Sequence, residues 1–246
     1  MTTIAAHLEA VRTRIAAACQ RFGRDPASVQ LLAVSKTFPP EAVREAMQAG
    51  QWAFGENYVQ EGVDKTVRLR EWQAAGLAPA GPLQWHCIGP LQSNKTRPVA
   101  EHFDWVHSVD RLKIAQRLSE QRPAGLPRLQ VCIQVNVDGG PTKSGVAPAE
   151  TLALARAVAT LPRLSLRGLM CIPEPSDSFE AACAVFGRAR ALMDEMRDAL
   201  QPDLRAQGLA PDTLDTLSMG MSADLEAAIA SGSTLVRVGT AIFGAR

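Results

Sequence analysis

Lys36 is the residue of this chain that is most suited to covalent chemistry. It follows an apolar run at 31–34 and Ser35, within the stretch LLAVSKTFPP at 31–40. Such a run is typical of a buried strand, so Lys36 stands where a strand ends. Partial burial favours the neutral amine, which is the form that attacks a carbonyl carbon. Taken alone, the position fits a lysine that extends into water about equally well.

Two segments near the C-terminus have the composition of a phosphate-binding site. The segment SMGMSADLEAA, which starts at residue 218, and the segment VRVGTAIFG, which starts at residue 236, each precede a predicted helix or helical turn. Their small and hydroxyl-bearing residues are Ser218, Gly220, Ser222, Gly239 and Thr240. Glycine lets backbone N–H groups approach an anion, hydroxyls add donors, and helix N-termini contribute partial positive charge. One such segment would favour a simple helix cap, but two after consecutive predicted strands favour a phosphate ligand.

A reactive lysine combined with a phosphate site suits an aldehyde that carries a phosphate group. Pyridoxal 5′-phosphate (PLP) is one such ligand, and a phosphosugar in a Schiff-base aldolase is another. The residue types and their spacing leave both open.

Eight predicted strands, each followed by a helix or a helical turn, must position these groups. The strands are predicted at 29–34, 52–54, 83–88, 104–109, 128–137, 164–172, 214–219 and 234–239. This alternation predicts parallel pairing through right-handed crossovers. We therefore predict a closed (β/α)₈ TIM barrel in the α/β class, with an extra N-terminal helix at about 2–22 and a single domain over 1–246. A doubly wound open sheet is the alternative, although no G-x-G-x-x-G sequence follows the first strand.

In such a barrel, the carboxyl ends of the strands and the loops after them form the site. Besides Lys36 and the two phosphate segments, several residues fall near these ends: Asn57, His86, Asn136, Met170 and Arg237. Polar residues in apolar runs cost free energy unless they are paired, so their concentration at one edge indicates function. The stretch VDKTVRLREWQ at 63–73 instead has charges at helical spacing, which predicts a solvated face. His107 is predicted at the surface or beside the site.

The composition argues against several classes of protein. The formal net charge is +1, which gives no overall electrostatic case for a nucleic acid or an anionic membrane surface. The five cysteines form no C-x-x-C pair, which predicts free thiols in a reducing compartment. The four histidines lack H-E-x-x-H spacing, so no metal site is predicted. No uncharged apolar stretch reaches the ~20 residues that cross a bilayer, and we expect a cytoplasmic protein.

Long strings of this sequence resemble the YggS/PROSC family of PLP-binding proteins, which act in PLP homeostasis. The match runs nearly end to end through AVSKT, FGENYVQEGVDK, WHCIGPLQSNK, RGLMCIP, LSMGMSADLEAAI and GSTLVRVGTAIFGAR. The resemblance implies a PLP-bearing (β/α)₈ barrel similar to the N-terminal domain of alanine racemase.

The resemblance also implies roles for individual residues. Lys36 would hold PLP as a Schiff base, and Lys143 would take part in moving PLP on or off the main site. The phosphate would be held, with backbone help near Gly220, by Ser218, Ser222, Gly239 and Thr240. The pyridine ring would be faced or lined by Arg237 at its nitrogen, by Asn57 and Met170, and by His86 close by.

Two positions depart from the family pattern. Phe38 stands where a basic residue is usual, and Gly140 stands where an acidic residue is frequent. These departures concern the entrance of the pocket and the loop that carries Lys143.

The implied site favours a carrier or regulator over an enzyme. An arginine at the pyridine nitrogen disfavours its protonation and makes the ring a weak electron sink. Racemases of similar fold accept this, but they add a tyrosine from a second, β-rich domain. This chain has one tyrosine, Tyr58, and ends soon after the last predicted strand, so we expect no second domain.

The leading hypothesis is a PLP-binding protein of intracellular PLP (vitamin B6) homeostasis that turns over no amino acid. PLP and PLP-dependent client enzymes would be its partners. A weak PLP-dependent amino-acid racemase is the alternative. The phosphosugar aldolase is a third reading, against which the strings SMGMS and RVGTAIFG argue.

Overall fold

The computed structural model describes residues 3–140, 143–206 and 213–244. Within them, a ring of parallel strands is surrounded by helices. The strands are β1 (Gln30–Val34), β2 (Ala53–Glu56), β3 (Gln84–Cys87), β4 (Trp105–Val109), β5 (Leu129–Gln134), β6 (Leu164–Met170), β7 (Thr216–Ser218) and β8 (Leu235–Val238). The helices are α1 (Ile4–Arg21), α2 (Pro40–Gln48), α3 (Val59–Ala74), α4 (Thr96–His102), α5 (Leu112–Gln121), α6 (Pro148–Ala159), α7 (Phe179–Ala206), α8 (Leu225–Ala230) and α9 (Thr240–Phe243).

The strands form a closed barrel in the order β1 to β8. β8 pairs with β1 in parallel, in a register that runs from Gln30 opposite Leu235 to Ala33 opposite Val238. The predicted (β/α)₈ barrel is therefore confirmed, and the open sheet is ruled out. The strands are largely buried on both sides because one face lines the barrel and the other packs on helices. β4 is buried along its whole length, including its polar residues His107 and Ser108.

The extra N-terminal helix is also confirmed, as α1. Its buried residues Leu8, Val11 and Ile15 follow the spacing of one helical face. The N-terminal end is capped by Thr3, whose side chain accepts a hydrogen bond from the Ala6 N–H. The ends of the predicted domain, residues 1–2 and 245–246, lie outside the described residues. Among the helices that are described, none combines the length and the hydropathy needed to cross a bilayer.

The prediction of a solvated face at 63–73 is wrong for one side of α3. Lys65, Thr66 and Leu69 are buried, whereas Asp64, Arg68 and Arg70 are exposed. Thr66 Oγ1 donates to Gly62 O at 2.7 Å, which satisfies its hydroxyl inside the helix. The helix thus presents a mixed face to the barrel that includes a buried lysine.

The barrel interior contains a connected layer of polar side chains. His86 Nδ1 lies 2.9 Å from His107 Nε2, and His107 Nδ1 lies 2.9 Å from Ser218 Oγ. Arg237 completes the chain by donating from Nη1 to Ser218 Oγ at 2.7 Å. All four side chains are buried, so the surface position that was one alternative for His107 is wrong. His107 lies in the barrel interior beside the candidate site residues His86 and Ser218, which is the other predicted alternative. Mutual hydrogen bonding makes the burial of these groups tolerable.

Burial also keeps both histidines neutral. Desolvation lowers the pKa of His86 from 6.5 to about 3. Desolvation, together with the neighbouring His86 and Arg237, lowers the pKa of His107 well below its ordinary value. The neutral forms fit the chain of contacts, because a neutral imidazole can donate from one nitrogen and accept at the other.

We expect these histidines to weaken the fold as the pH falls below their ordinary pKa of 6.5. The unfolded chain takes up a proton on each histidine, whereas the folded barrel does not, so acid favours unfolding. Each buried histidine contributes up to about 1.4 kcal/mol of lost unfolding free energy per pH unit in this range. Urea titrations between about pH 7 and pH 5 would measure the slope.

The comparison that isolates this effect is His86→Gln. Desolvation raises the pKa of Glu56, which opposes the trend, but Glu56 is present in both proteins. The variant should lose up to about 1.4 kcal/mol per pH unit of the slope. An identical slope in the two proteins would contradict the neutral, buried state of His86.

Candidate ligand-binding site

A cavity of about 310 Å³ opens at the carboxyl end of the barrel strands. It is lined by Val34, Lys36, Asn57, Ile88, Ile172, Met221, Ser222, Ala223, Arg237, Gly239 and Thr240. Six of these residues were candidates from the sequence, and the fold brings them together: Lys36, Asn57, Ser222, Arg237, Gly239 and Thr240. A neighbouring cavity of about 370 Å³ shares Met221 and Ala223 with it. Only the smaller one contains a lysine among its described lining residues.

Lys36 lies in a tight turn that follows β1. The Phe38 N–H donates to Ser35 O at 3.1 Å, which closes the turn around Lys36 and Thr37. Thr37 has a φ of +67°, in the left-handed region that residues other than glycine rarely adopt. The Lys36 side chain is half-buried at the edge of the cavity. Lys36 therefore follows the buried strand in a defined backbone geometry, a tight turn with a left-handed residue next to the lysine.

The two segments with the composition of a phosphate-binding site, after β7 and after β8, form the wall of the cavity next to this turn. We call this the phosphate-type wall. Gly220 has a φ of +91°, and a Cβ there would lie 2.4 Å from the Ala228 Cβ. Glycine therefore allows the loop after β7 to fold onto α8. At the end of β8, a Cβ on Gly239 would lie 3.1 Å from Val34 O. This close approach places Thr240 beside the end of β1.

The donors of this wall differ from the predicted set. α8 and α9 have six and four residues, so they are too short for the expected helix-dipole contribution. The Met221 N–H is already bound by the Asp224 carboxylate at 2.6 Å. Ser222 and Thr240, which both carry hydroxyls, line the cavity. With the nearby backbone, they provide the hydrogen-bonding capacity of the wall.

α1 supports this wall from outside the barrel. Arg14 Nη1 donates to Ser222 O at 2.8 Å, and its guanidinium forms an ion pair with Glu226 of α8. His7 Nδ1 lies 2.9 Å from Ile242 O of α9. The extra N-terminal helix therefore braces both segments of the wall. Neither contact was anticipated from the sequence, because the partners lie at opposite ends of the chain.

Arg237 contributes a buried guanidinium to the cavity. It is 4% exposed, and its Nη2 donates to Cys171 O at 2.9 Å in addition to the Nη1 contact with Ser218. Desolvation lowers its pKa. An arginine nevertheless stays charged in proteins, so the cavity borders a fixed positive group.

Besides Asn136 and Lys143, four other candidates from the sequence lie outside the cavity lining. Ser218 and His86 belong to the polar layer beneath it, and Met170 packs with Trp105 and Cys132 in a buried cluster. Gly220 shapes the loop but does not line the cavity. The apolar lining residues Val34, Ile88, Ile172, Met221 and Ala223 were missed. They sit next to predicted site residues in the sequence, which is the only signal that could have selected them.

Lys143 lies on the loop after β5, apart from the described cavity lining. Its Nζ is 3.4 Å from Glu174 Oε2, on the loop after β6. A Cβ on Gly140 would lie 3.3 Å from Glu174 Oε1. Glu174 therefore places a carboxylate beside Lys143. This carboxylate lies close to Gly140, the position where an acidic residue is frequent in the family pattern.

Comparisons with known proteins extend over nearly the whole chain. The family described as "Alanine racemase, N-terminal domain" matches residues 6–246. A Pseudomonas aeruginosa protein named pyridoxal phosphate homeostasis protein is 58% identical over 246 residues, with 100% of this chain and 97% of the relative covered. A relative of the same name from Escherichia coli K12 is 53% identical, with 100% and 98% covered.

Solved structures give the same picture. PipY of Synechococcus elongatus, in a structure with PLP bound, has a TM-score of 0.78 at 38% identity, with 98% of this chain and 100% of PipY covered. Alanine racemase of Corynebacterium glutamicum has a TM-score of 0.60 at 17% identity, with 97% of this chain and 61% of the racemase covered. The likeness to the racemase therefore shows the barrel fold alone. The chain belongs to the YggS/PROSC family, whose bacterial relatives are named pyridoxal phosphate homeostasis proteins.

Proposed function

We propose that this chain binds PLP in the cavity beside Lys36 and acts in PLP homeostasis. The observation that carries the proposal is one cavity that holds a half-buried lysine, two hydroxyl side chains and a buried guanidinium. An amine suits an aldehyde, hydroxyls and backbone N–H groups suit a phosphate, and the cation suits a basic ring nitrogen. The names of the relatives and the PLP-bound structure of PipY support this assignment.

The lysine, the hydroxyls and the apolar residues of the cavity each have a defined task in this proposal. Lys36 Nζ attacks the aldehyde carbon and forms the C=N bond of a Schiff base, and the carbonyl oxygen leaves as water. Ser222 and Thr240 hold the phosphate together with the backbone near Gly239. Val34, Ile88 and Ile172 provide apolar walls that favour a flat ring over water.

Arg237 controls the electronic state of the ligand. Its positive charge near the pyridine nitrogen keeps a proton off that nitrogen. PLP supplies, when bound and protonated there, an electron sink for charge that develops on an amino acid. With Arg237 in place, the protein holds its ligand with an unprotonated ring nitrogen, which makes the ring a weak electron sink.

The described lining of the cavity offers no base on the side opposite Lys36, which racemisation needs. Among its described lining residues, Lys36 and Arg237 are the titratable ones. Racemisation requires proton transfer on both faces of the substrate carbon, and thus a base opposite the lysine. We therefore propose a carrier or regulator that holds PLP for PLP-dependent client enzymes without amino-acid turnover. The five free cysteines support a reducing, cytoplasmic location.

We expect purified protein mixed with PLP to show the visible absorbance band of a Schiff base, because Lys36 is placed to condense with the aldehyde. Borohydride should fix the ligand on the peptide that contains Lys36, as detected by mass spectrometry. Lys36→Ala should abolish the band and keep the melting temperature. The matched control is Lys113→Ala, which removes an exposed lysine of α5. A full band in Lys36→Ala, or label on another lysine with none on Lys36 in the unaltered protein, would sink the assignment.

We expect no racemisation when PLP-loaded protein is incubated with L-alanine. The physical reason is the missing base among the described lining residues, together with the weak electron sink beside Arg237. Polarimetry or chiral chromatography over long incubations would detect slow turnover. Conversion that disappears in Lys36→Ala would favour the racemase instead, whereas conversion that persists in that variant would point to a contaminant.

A further inference from the structure

A largely buried ionic cluster contacts the Lys36 turn. It consists of Glu56 at the end of β2 and of Glu61 and Lys65 on α3. Lys65 is 3% exposed, and its Nζ donates to Glu56 Oε1 at 2.8 Å and to Glu61 Oε1 at 2.7 Å. The third donor position of the ammonium group reaches the turn itself, at 2.7 Å from Ser35 O. The lysine thus links two carboxylates to the backbone of the turn.

The cluster holds the residues on both sides of Lys36. Ser35 is bound twice, through its carbonyl to Lys65 and through Oγ, which donates to Glu56 Oε1 at 2.7 Å. On the other side, the Thr37 N–H donates to Glu61 Oε1. Phe38, the next residue, packs on Phe243 of α9 with ring centroids 5.2 Å apart. The turn is therefore fixed to α3 on one side and to the phosphate-type wall on the other.

These contacts contribute little net stability to the fold. Burying charges costs free energy that their mutual attraction only partly recovers, so a buried ion pair adds little net stability. Among the described residues, Glu56 Oε2 has no hydrogen-bond partner, which adds to the cost. Thr37 also keeps its left-handed backbone. Features of this kind persist where the surrounding structure over-determines a geometry that function needs.

We propose that Lys65, Glu56 and Glu61 are positioning residues. Together they fix the Lys36 turn at the correct distance from the phosphate-type wall. This inference rests on the proposed function, because it assigns the cluster a role in Schiff-base formation at Lys36. A ligand anchored by its phosphate presents its aldehyde at a fixed place, so the amine must be held there as well. The cluster supplies that constraint through Ser35 and Thr37.

The test uses variants that differ in whether they keep these contacts. Glu61→Ala removes the acceptor of the Thr37 N–H, and Glu61→Gln restores an acceptor without the charge. Lys65→Met with Glu56→Gln removes the hold on Ser35 O and leaves no charge at these two buried positions, which limits the loss of folding. Glu61 loses its ion pair with Lys65, but its side chain is 28% exposed and it still accepts from the Thr37 N–H. Asp64→Ala is the matched control, since Asp64 is an exposed carboxylate on the same helix.

Two ligands separate positioning from a general loosening of the site. PLP affinity, measured by titration of the Schiff-base band, should fall about tenfold or more in Glu61→Ala and in the double variant, because the amine is misplaced. Glu61→Gln should recover part of the loss, and Asp64→Ala should match the unaltered protein. The inhibition constant of inorganic phosphate as a competitor should stay unchanged, because the phosphate wall is intact.

The outcomes distinguish the two proposals. Absence of the band in the unaltered protein would contradict the proposed function and this inference with it. A normal band there, with unchanged PLP affinity in both Glu61→Ala and the double variant, would overturn the positioning role alone. A parallel loss of phosphate and PLP affinity would also overturn it, since it would show that the cluster only maintains the fold.

Discussion

The pairing of β1 with β8 is the constraint on which the site depends. Lys36 follows β1 and Gly239 follows β8, so the two are distant in the sequence and meet only when the barrel closes. The two strand ends approach closely, since a Cβ on Gly239 would lie only 3.1 Å from Val34 O. A reactive amine and a phosphate-type wall thereby share one cavity. Without closure, each would be an ordinary strand end.

Two further layers hold this arrangement in place. Beneath the cavity, hydrogen bonds link Arg237 through Ser218 and His107 to His86, whose Nε2 is the end of the chain and has no partner among the described residues. Around the cavity, α1 braces the phosphate-type wall, and the cluster at Lys65 braces the turn of Lys36. The site is thus fixed from below and from both sides, as a site that binds a ligand without large movements requires.

The sequence predicted what local patterns determine. Apolar runs of strand length gave the eight strands, and Lys36 with the segments at Ser222 and Thr240 gave the edge of the barrel where the cavity lies. It could not predict contacts between distant residues. Lys65 has the helical spacing of a solvated charge, and its burial depends on Glu56. The carboxylate that Gly140 lacks likewise comes from another loop, at Glu174.

A crystal structure of this protein grown with PLP would test the central claim most directly. The account predicts continuous electron density from Lys36 Nζ to the ligand, with the phosphate against Ser222, Gly239 and Thr240 and the pyridine nitrogen toward Arg237. Density for PLP joined to another lysine, or a phosphate placed away from this wall, would contradict it.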